Sequence, residues 1–399
     1  AVFASNLAFM ILEMAAARIV AREFGGSIYT WTTVIGVVLA GVSLGNWIGG
    51  QIADRKAGAG TLAALFLIGS IAAAAAPWLS QAAGVLVRES PVLSNRALPL
   101  QILVFLAIPF FLPCVLMGTI SPVAVKRALD NGWTAGHAVG AIYAWGSVGG
   151  IAGTFLTGYF LIAWIGSLPT VALAAAIMAA AAAVHAKDGI AMPAWCAVCL
   201  VIMASALTPG PLAKRVAETA GVRLTADASL VYQDESQYSY IAILADPANP
   251  NLRKMRLDAL THSIMDIAAP QTLKYEYEWV YDATIDVYCP NGRPMRDMVI
   301  GGGGYAFPRY LEVTRPGDYI DVSEIDPAVT EAAHAALGLP RDTRIGIFDM
   351  DGRNHIEDVL REKRAGKLAA FHCIFGDSIS DYSVPYHLTT VETVRNIHE

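Results

Sequence analysis

The first 208 residues are a succession of long apolar runs, and beyond about residue 222 the pattern changes to short alternating segments broken by glycines and acids. Seven runs, at 1–22, 28–52, 61–79, 98–121, 135–164, 168–186 and 192–208, are long enough to cross a bilayer core as helices. Helices are the expected form, because lipid offers an open backbone no hydrogen-bond partners. Small residues recur at helix-packing spacing in Gly41, Gly45 and Gly49 and in Gly146, Gly150 and Gly153, so the runs are expected to close into a compact bundle. After residue 222, "VRLTADASLVYQ", "YSYIAILAD" and "RKMRLDALTHS" alternate as strands of a small antiparallel sheet. A more helical stretch covers 270–289. The strand "RDMVI", the glycines Gly301–Gly304 and a helix starting near Tyr305 follow, with Pro308 tolerable in its first turn. Then come "DYIDVSEID", a helix at 327–338, the strand "RIGIF", a helix at 354–365 and the strand "AFHCIFGD". Strands alternating with helices in this way predict a parallel sheet.

Composition sharpens this division. Of 399 residues 55% are hydrophobic and 16% charged, where a soluble domain has about 25% charged. The expected organisation is a multi-span α-helical membrane bundle of about seven helices at 1–208, a linker at 209–221, a small antiparallel β-sheet subdomain at 222–269 and a Rossmann-like α/β domain at 270–399. A net charge of −6 without a dense basic tract argues against nucleic acid as a partner. Cys114, Cys196, Cys199, Cys289 and Cys373 are odd in number and three lie in apolar runs, so no disulfide framework is expected. The Cys196/Cys199 pair in "AWCAVCL" reads as helix packing. Ala1 stands where a start methionine would be and no cleavable signal precedes the first run, which suggests a chain trimmed at its start.

Two charges, Glu13 and Arg18, lie inside the first run, where an ionised group is costly unless paired or wetted. They are expected either to staple neighbouring helices or to line a polar cavity. His137 and His185 fall near run ends, where interfacial solvation accounts for them. The positive-inside rule hardly separates Arg55, Lys56, Lys126, Arg127 and Lys187 on one side from Arg22, Arg88, Arg96, Lys214 and Arg215 on the other.

The candidate chemistry lies in the second half. A glycine turn after one strand and an acid, Glu324, closing the next is a nucleotide-site arrangement: glycine lets a ligand touch the backbone and a carboxylate accepts ribose hydroxyls. "GGGGYA" lacks the third glycine of the dinucleotide form. Asp326 and Asp349 are expected to cap helices. Glu324, Asp351 and Asp377, each at or near a strand end, are expected to line one crevice on the sheet's carboxyl edge.

"VYQDESQYSYI", "LDALTHS", "MVIGGGG", "SEIDPAV", "DMDGR" and "FGDSISD" stand in the order found in the spermidine synthase (aminopropyltransferase) family, which residues 222–387 resemble. With "LGNWIGGQIADR" in the first half, the whole chain resembles the membrane-fused, spermidine-synthase-like proteins of bacteria. The resemblance implies an S-adenosyl ligand, S-adenosylmethionine or its decarboxylated form, used as substrate without a metal. Glu324 would then bind the ribose, Asp351 face the adenine amine, and Gly301, Gly302 and Gly303 form the turn beneath the sulfonium side chain. Asp258 would lie by the methylthioadenosine part, Tyr238 matches the tyrosine of an "SxYQ" segment, and Asp377 would be the catalytic acid that accepts the proton of an attacking amine.

Departures from the family narrow the expectation. The aspartate of its GGGDGG turn is Gly304 here, which removes a charge that would repel an α-carboxylate. "KYEYEW" (Lys274–Trp279) replaces the YHE signature, and Ser239 and His262 stand where glutamines are expected, so a free polyamine is a poor acceptor. The acceptor is expected to be a small-molecule amine or a lipid-associated one. Two strands that the family fold has after its catalytic acid are not in this sequence, so either the tail is absent from it or the sheet is finished by another chain, a second copy being one candidate. Propyl-side transfer, or internal displacement to a lactone, is the leading reading. A methyltransferase acting on a membrane substrate and a transporter or sensor are the alternatives. Because S-adenosyl compounds are cytosolic, the aqueous domain is placed in the cytoplasm of a bacterium, with the bundle in the inner membrane and the N-terminus outside.

Overall fold

A computed structural model describes residues 1–55, 58–186, 191–223, 229–288, 294–379 and 383–399. Cys289, Lys56 and Lys187 lie outside the described residues. The chain divides into two compact units, Ala1–Thr225 and Ala226–Glu399.

The first unit is helical. Its elements are α1 (Val2–Phe24), α2 (Ile28–Arg55), α3 (Ala59–Glu89), α4 (Leu98–Asp130), α5 (Ala135–Ile165), α6 (Ser167–His185), α7 (Ala191–Leu207) and α8 (Pro211–Thr219). Among the described residues, α1 to α6 are each long and apolar enough to cross a membrane, and α7 with α8 makes a seventh candidate bent by 120°. Several helices outrun their apolar runs. α3 continues past Pro77 because Ala73, Ala76, Ser80 and Ala83 keep one buried face going at helical spacing. α4 passes through a π-helical segment at Ala107–Phe111, where Pro109 and Pro113 each remove a backbone donor. The stretch read as a linker holds α8, and Gly221 after it packs on α3: its carbonyl accepts from Gln81 Nε2 at 2.9 Å.

Glycine seams join the helices in pairs. A Cβ at Gly45 of α2 would lie 2.1 Å from the Val115 carbonyl oxygen on α4, and one at Gly149 of α5 would lie 2.3 Å from that of Phe3 on α1. The α5 seam thus runs through the buried Gly146, Gly149 and Gly153. Gly150, expected in it, is one position off that face and a Cβ there would meet only Met10, at 3.5 Å. The outer faces of α2 and α5 expose Ile35, Leu39, Trp47, Val148, Ile151 and Phe155, a bareness that soluble proteins avoid. Cys114, Cys196, Cys199 and Cys373 are free thiols. At the bundle's edge Arg88 of α3 pairs with Glu23 of α1 at 2.6 Å.

The second unit holds two sheets. Strands β1 (Leu230–Glu235), β2 (Tyr240–Ala245), β3 (Leu252–Leu257) and β4 (Leu260–Asp266) form an antiparallel meander in sequence order. "RKMRLDALTHS" is therefore a hairpin rather than one strand. Leu257 pairs with Leu260 around Asp258, whose φ of +48° is a conformation that Asp tolerates better than most residues. After α9 (Glu276–Tyr288) come β5 (Arg296–Ile300), α10 (Ala306–Thr314), β6 (Tyr319–Glu324), α11 (Pro327–Ala336), β7 (Gly346–Asp349), α12 (Gly352–Arg364), β8 (Cys373–Gly376) and α13 (Val391–His398). The four strands β5 to β8 are parallel, in the order β7-β6-β5-β8. The order reverses between β5 and β8, so a crevice opens at their carboxyl ends.

Candidate active site

That crevice is a cavity of about 320 Å³, within the range of small-molecule sites. Each wall follows from a chain segment leaving a strand. The turn after β5 brings Gly301 and Gly303 to its floor. Gly301 has φ +100°, and a Cβ there would sit 2.5 Å from the carbonyl oxygen of Asp377, so only glycine lets the two strand ends meet. Gly302 does not line the cavity. Its amide donates to Glu324 Oε2 at 2.8 Å, which makes it a strut for the carboxylate.

Glu324 at the end of β6 is held from both sides, since Oε1 accepts from the Asp326 amide at 3.0 Å. The Gly303 amide also bonds to this carboxylate, and the lone-pair capacity that is left suits a sugar hydroxyl. Burial, only partly offset by these amides, raises its pKa. Asp326 caps α11 through the Ala328 amide and accepts from Ser236 Oγ at 2.5 Å. Ser236 in turn accepts from the amides of Tyr238 and Ser239, and this chain of bonds sets the β1–β2 loop with Tyr238 at the cavity mouth. Asp258, buried in the β3–β4 turn, lines the cavity while accepting from the Tyr240 amide at 3.0 Å.

The capping role expected of Asp349 falls instead to Asp351. Its Oδ1 accepts from the amides of Arg353 and Asn354 at the start of α12, and its Oδ2 meets His387 Nε2 at 2.9 Å. Any adenine amine reaching Asp351 therefore shares that second oxygen with His387.

Asp377 follows β8. Its Oδ2 accepts from Tyr277 Oη at 2.9 Å, and the backbone of Gly303 lies against the same oxygen, as a Cβ there would be 3.6 Å from it. Burial pushes the Asp377 carboxyl up to about 7, with the Tyr277 hydrogen bond pulling down and the field of Glu324 pushing up. Tyr277 itself is raised, chiefly by burial. It belongs to an aromatic row at the start of α9, in which Tyr275, just before the helix, Tyr277 and Tyr281 meet edge to face and Tyr281 donates to the Gly376 carbonyl. Glu278, buried at the start of α9, is also pushed up to about 7 by burial. Tyr277, His262 and His387 are site residues that pattern reading did not assign; Tyr277 and Tyr281, four apart on a helix entering the site, were the available signal.

Gly304, where the family has its acid, takes φ +85° and lies outside the cavity lining. A Cβ there would meet Ser263 Cβ at 2.8 Å and Leu337 Cδ1 at 2.9 Å, so neighbouring side chains occupy the room of the lost carboxylate.

Asp258, Glu324, Asp326, Asp351 and Asp377 all line the cavity, together with two imidazoles and no Lys or Arg among the described residues. Such a site favours a cationic ligand and disfavours a polyphosphate. Among the described residues no cluster of His, Cys, Asp and Glu has metal-site geometry.

No protein-family model matches the sequence. The polyamine aminopropyltransferase of Vibrio vulnificus (strain CMCP6) is 31% identical over 103 residues, 26% of this chain and 32% of that relative. The chain thus spans about a third of the length of the curated relative it matches. Among solved structures, a probable spermidine synthase from Corynebacterium glutamicum ATCC 13032 shows 24% identity and a TM-score of 0.37, covering 44% of this chain and 60% of that one. A spermidine synthase in complex with the transition-state analogue AdoDATO shows 19% and 0.31, covering 43% and 52%. The spermidine synthase from Thermotoga maritima shows 18% and 0.30, covering 43% and 53%. The chain is a multi-helix bundle followed by an α/β unit, and it is similar to the aminopropyltransferases over part of its length.

Proposed function

We propose that this chain is an integral membrane enzyme of the aminopropyltransferase type, taking S-adenosylmethionine or its decarboxylated form and releasing methylthioadenosine. The observation that carries the reading is a cavity at the β5/β8 switch lined by five acids and no Lys or Arg among the described residues. An adenosyl sulfonium is a nucleoside with a positive charge and no phosphate, and it suits both the fold's ligand crevice and its field.

In the chemistry, an acceptor nitrogen attacks the carbon next to sulfur. The C–S bond breaks, its electron pair goes to sulfur to give the neutral thioether, and the nitrogen's proton passes to Asp377. A carboxyl tuned near 7 is well matched to that transfer at neutral pH. The rest is positioning: Glu324 holds the sugar, Asp258 and Asp351 flank the nucleoside, and Tyr277 orients Asp377. The packed-over Gly304 favours a second donor, because no acid at that position opposes the α-carboxylate of intact S-adenosylmethionine. In that case the substrate's own carboxylate can close a lactone on the same carbon, with the same leaving group.

The acceptor in the transferase reading is an amine, soluble or lipid-associated. The bundle lies in a bacterial inner membrane with the α/β unit in the cytoplasm, where the donor is made. Purified protein incubated with each donor, with and without amines, is expected to yield methylthioadenosine by mass spectrometry. Adenosylhomocysteine as the product would replace this reading with methyl transfer, and neither product would leave a ligand-sensing role.

A further inference from the structure

The helical unit contains a second cavity, of about 730 Å³, bounded by α1, α2, α4 and α5. The glycine seams described above fasten α5 to α1 and α2 to α4, and the cavity lies between the two fastened pairs. Its mouth is where α2 and α4 end and α1 and α5 begin, marked by Asp54 and Lys126. Its deeper wall, with Phe9, Met10, Val42 and Met117, is apolar.

Between these ends the lining is polar in a way that lipid contact would not tolerate. Asn46 is exposed, and its side chain has no hydrogen-bond partner among the described residues. It sits nine residues before the end of α2, a depth of about 13 Å. Ser147 of α5 is likewise exposed into the cavity, although its neighbours Val148 and Ile151 form an apolar outer face. An unpaired amide in hydrocarbon costs several kcal/mol, so these groups face water or a polar ligand. Glu13 and Arg18, expected either to staple neighbouring helices or to line a polar cavity, do not line this one.

Charge at the mouth gives the ligand its sign. Lys126 is neutralised by Asp130 at 2.5 Å. Asp54 makes no hydrogen bond or ion pair among the described residues; Lys126 lies within reach of its field, but that ammonium is held by Asp130, which leaves Asp54 as the acid of the lining open to a further cation.

We propose that this cavity binds an amphiphilic amine, its ammonium at Asp54, its polar shoulder against Asn46 and Ser147, and its apolar body against Phe9, Met10 and Met117. Size supports this, because the volume exceeds what a lone ammonium or small polar ion fills and lies in the range of sites that enclose a drug-sized molecule. The inference is independent of the donor chemistry of the α/β unit, since no residue of that unit lines the cavity.

The test uses the full chain in phosphatidylcholine nanodiscs with radiolabelled dodecylamine as probe. Saturable binding of one probe per chain above empty discs is expected, displaced by unlabelled dodecylamine and not by dodecyl sulfate. Asp54→Asn is expected to weaken binding at least tenfold, and Ser147→Trp, which fills the space, to abolish it, with wild-type melting temperatures in both. Adding phosphatidylethanolamine to the discs lowers probe binding if the bilayer supplies the amine and leaves it unchanged if a free amine does; either result keeps the site. Wild-type binding in both variants overturns the proposal. So does equal displacement by dodecyl sulfate, which would mean a charge-blind greasy slot, or by spermidine, which would mean charge alone is read.

Discussion

At the scale of single residues, the site is a set of acids of which burial raises two, Glu324 and Asp377. Asp377 has a pKa near 7 because it is buried, and the Tyr277 hydroxyl stabilises its charged form. Turnover limited by this base is expected to rise with pH through about 7. Tyr277→Phe removes the bond that lowers the value, so the inflection should move to higher pH. Asp377→Asn should cost at least about a hundredfold in turnover while leaving calorimetric affinity for an S-adenosyl compound within about threefold. Loss of binding in step with turnover would instead make Asp377 a ligand-holding group. Asp297, under the sheet on β5, is a different case. It is fully buried, and burial, only partly offset by the Cys373 amide and by Arg315 and His372, pushes it up to about 6 from the ordinary 3.8. Its folded form holds the proton more tightly than the unfolded chain, so its contribution to stability is lost as pH rises from about 4 through 6 and stays lost above. Asp297→Asn should therefore raise the melting temperature at pH 8, by an amount equivalent to about 1–3 kcal/mol, and change it little at pH 4.

Elements in both units depend on backbone approaches that a side chain would block. In the bundle, Gly45→Val puts a branched side chain against the Val115 carbonyl, and the α2/α4 seam has to open. Overpacking of this kind costs about 1–3 kcal/mol, measurable as a lower melting temperature in detergent. In the α/β unit, Gly304→Asp introduces the acid of the aminopropyltransferase turn in a left-handed conformation already crowded by Ser263 and Leu337. It should destabilise by a similar amount and should not restore preference for a decarboxylated donor; a donor switch without loss of stability would show that the turn can rearrange. Much of this scale was readable in the sequence. Glycine spacing marked the α2 seam, and the β5 turn with Glu324 beyond β6 marked the sheet edge where the cavity opens. The α5 seam was misplaced by one residue, because Gly149 and Gly150 adjoin and only packing on α1 chooses between them.

For the whole molecule, the number of crossings decides on which side each end of the bundle lies. α1 to α6 each qualify alone, whereas Ala191–Leu207 qualifies only with the bent helix after it. If α7 crosses, the first end of α1 and the α/β unit lie on opposite sides. If the α/β unit is cytosolic, as proposed, a cysteine at Asn131 should then react with an impermeant maleimide in intact cells, and one at Ser94 only after lysis, once the native cysteines are replaced. Labelling of both in intact cells, or the reverse pattern, would overturn the orientation.

Sequence alone settled what depends on local pattern: an apolar half made of helices, an α/β half with strand and helix in alternation, and acids at the ends of β6 and β8. Helical and strand periodicities are written into consecutive residues, and a strand's end places its acid on the sheet edge whatever the neighbours do. What required the tertiary structure were the meetings between distant segments. Tyr277 reaching Asp377 across 100 residues, His387 meeting Asp351, and Ser236 holding Asp326 depend on how segments pack. So does the cavity between the two glycine-joined helix pairs, since no single helix carries the space that four of them enclose.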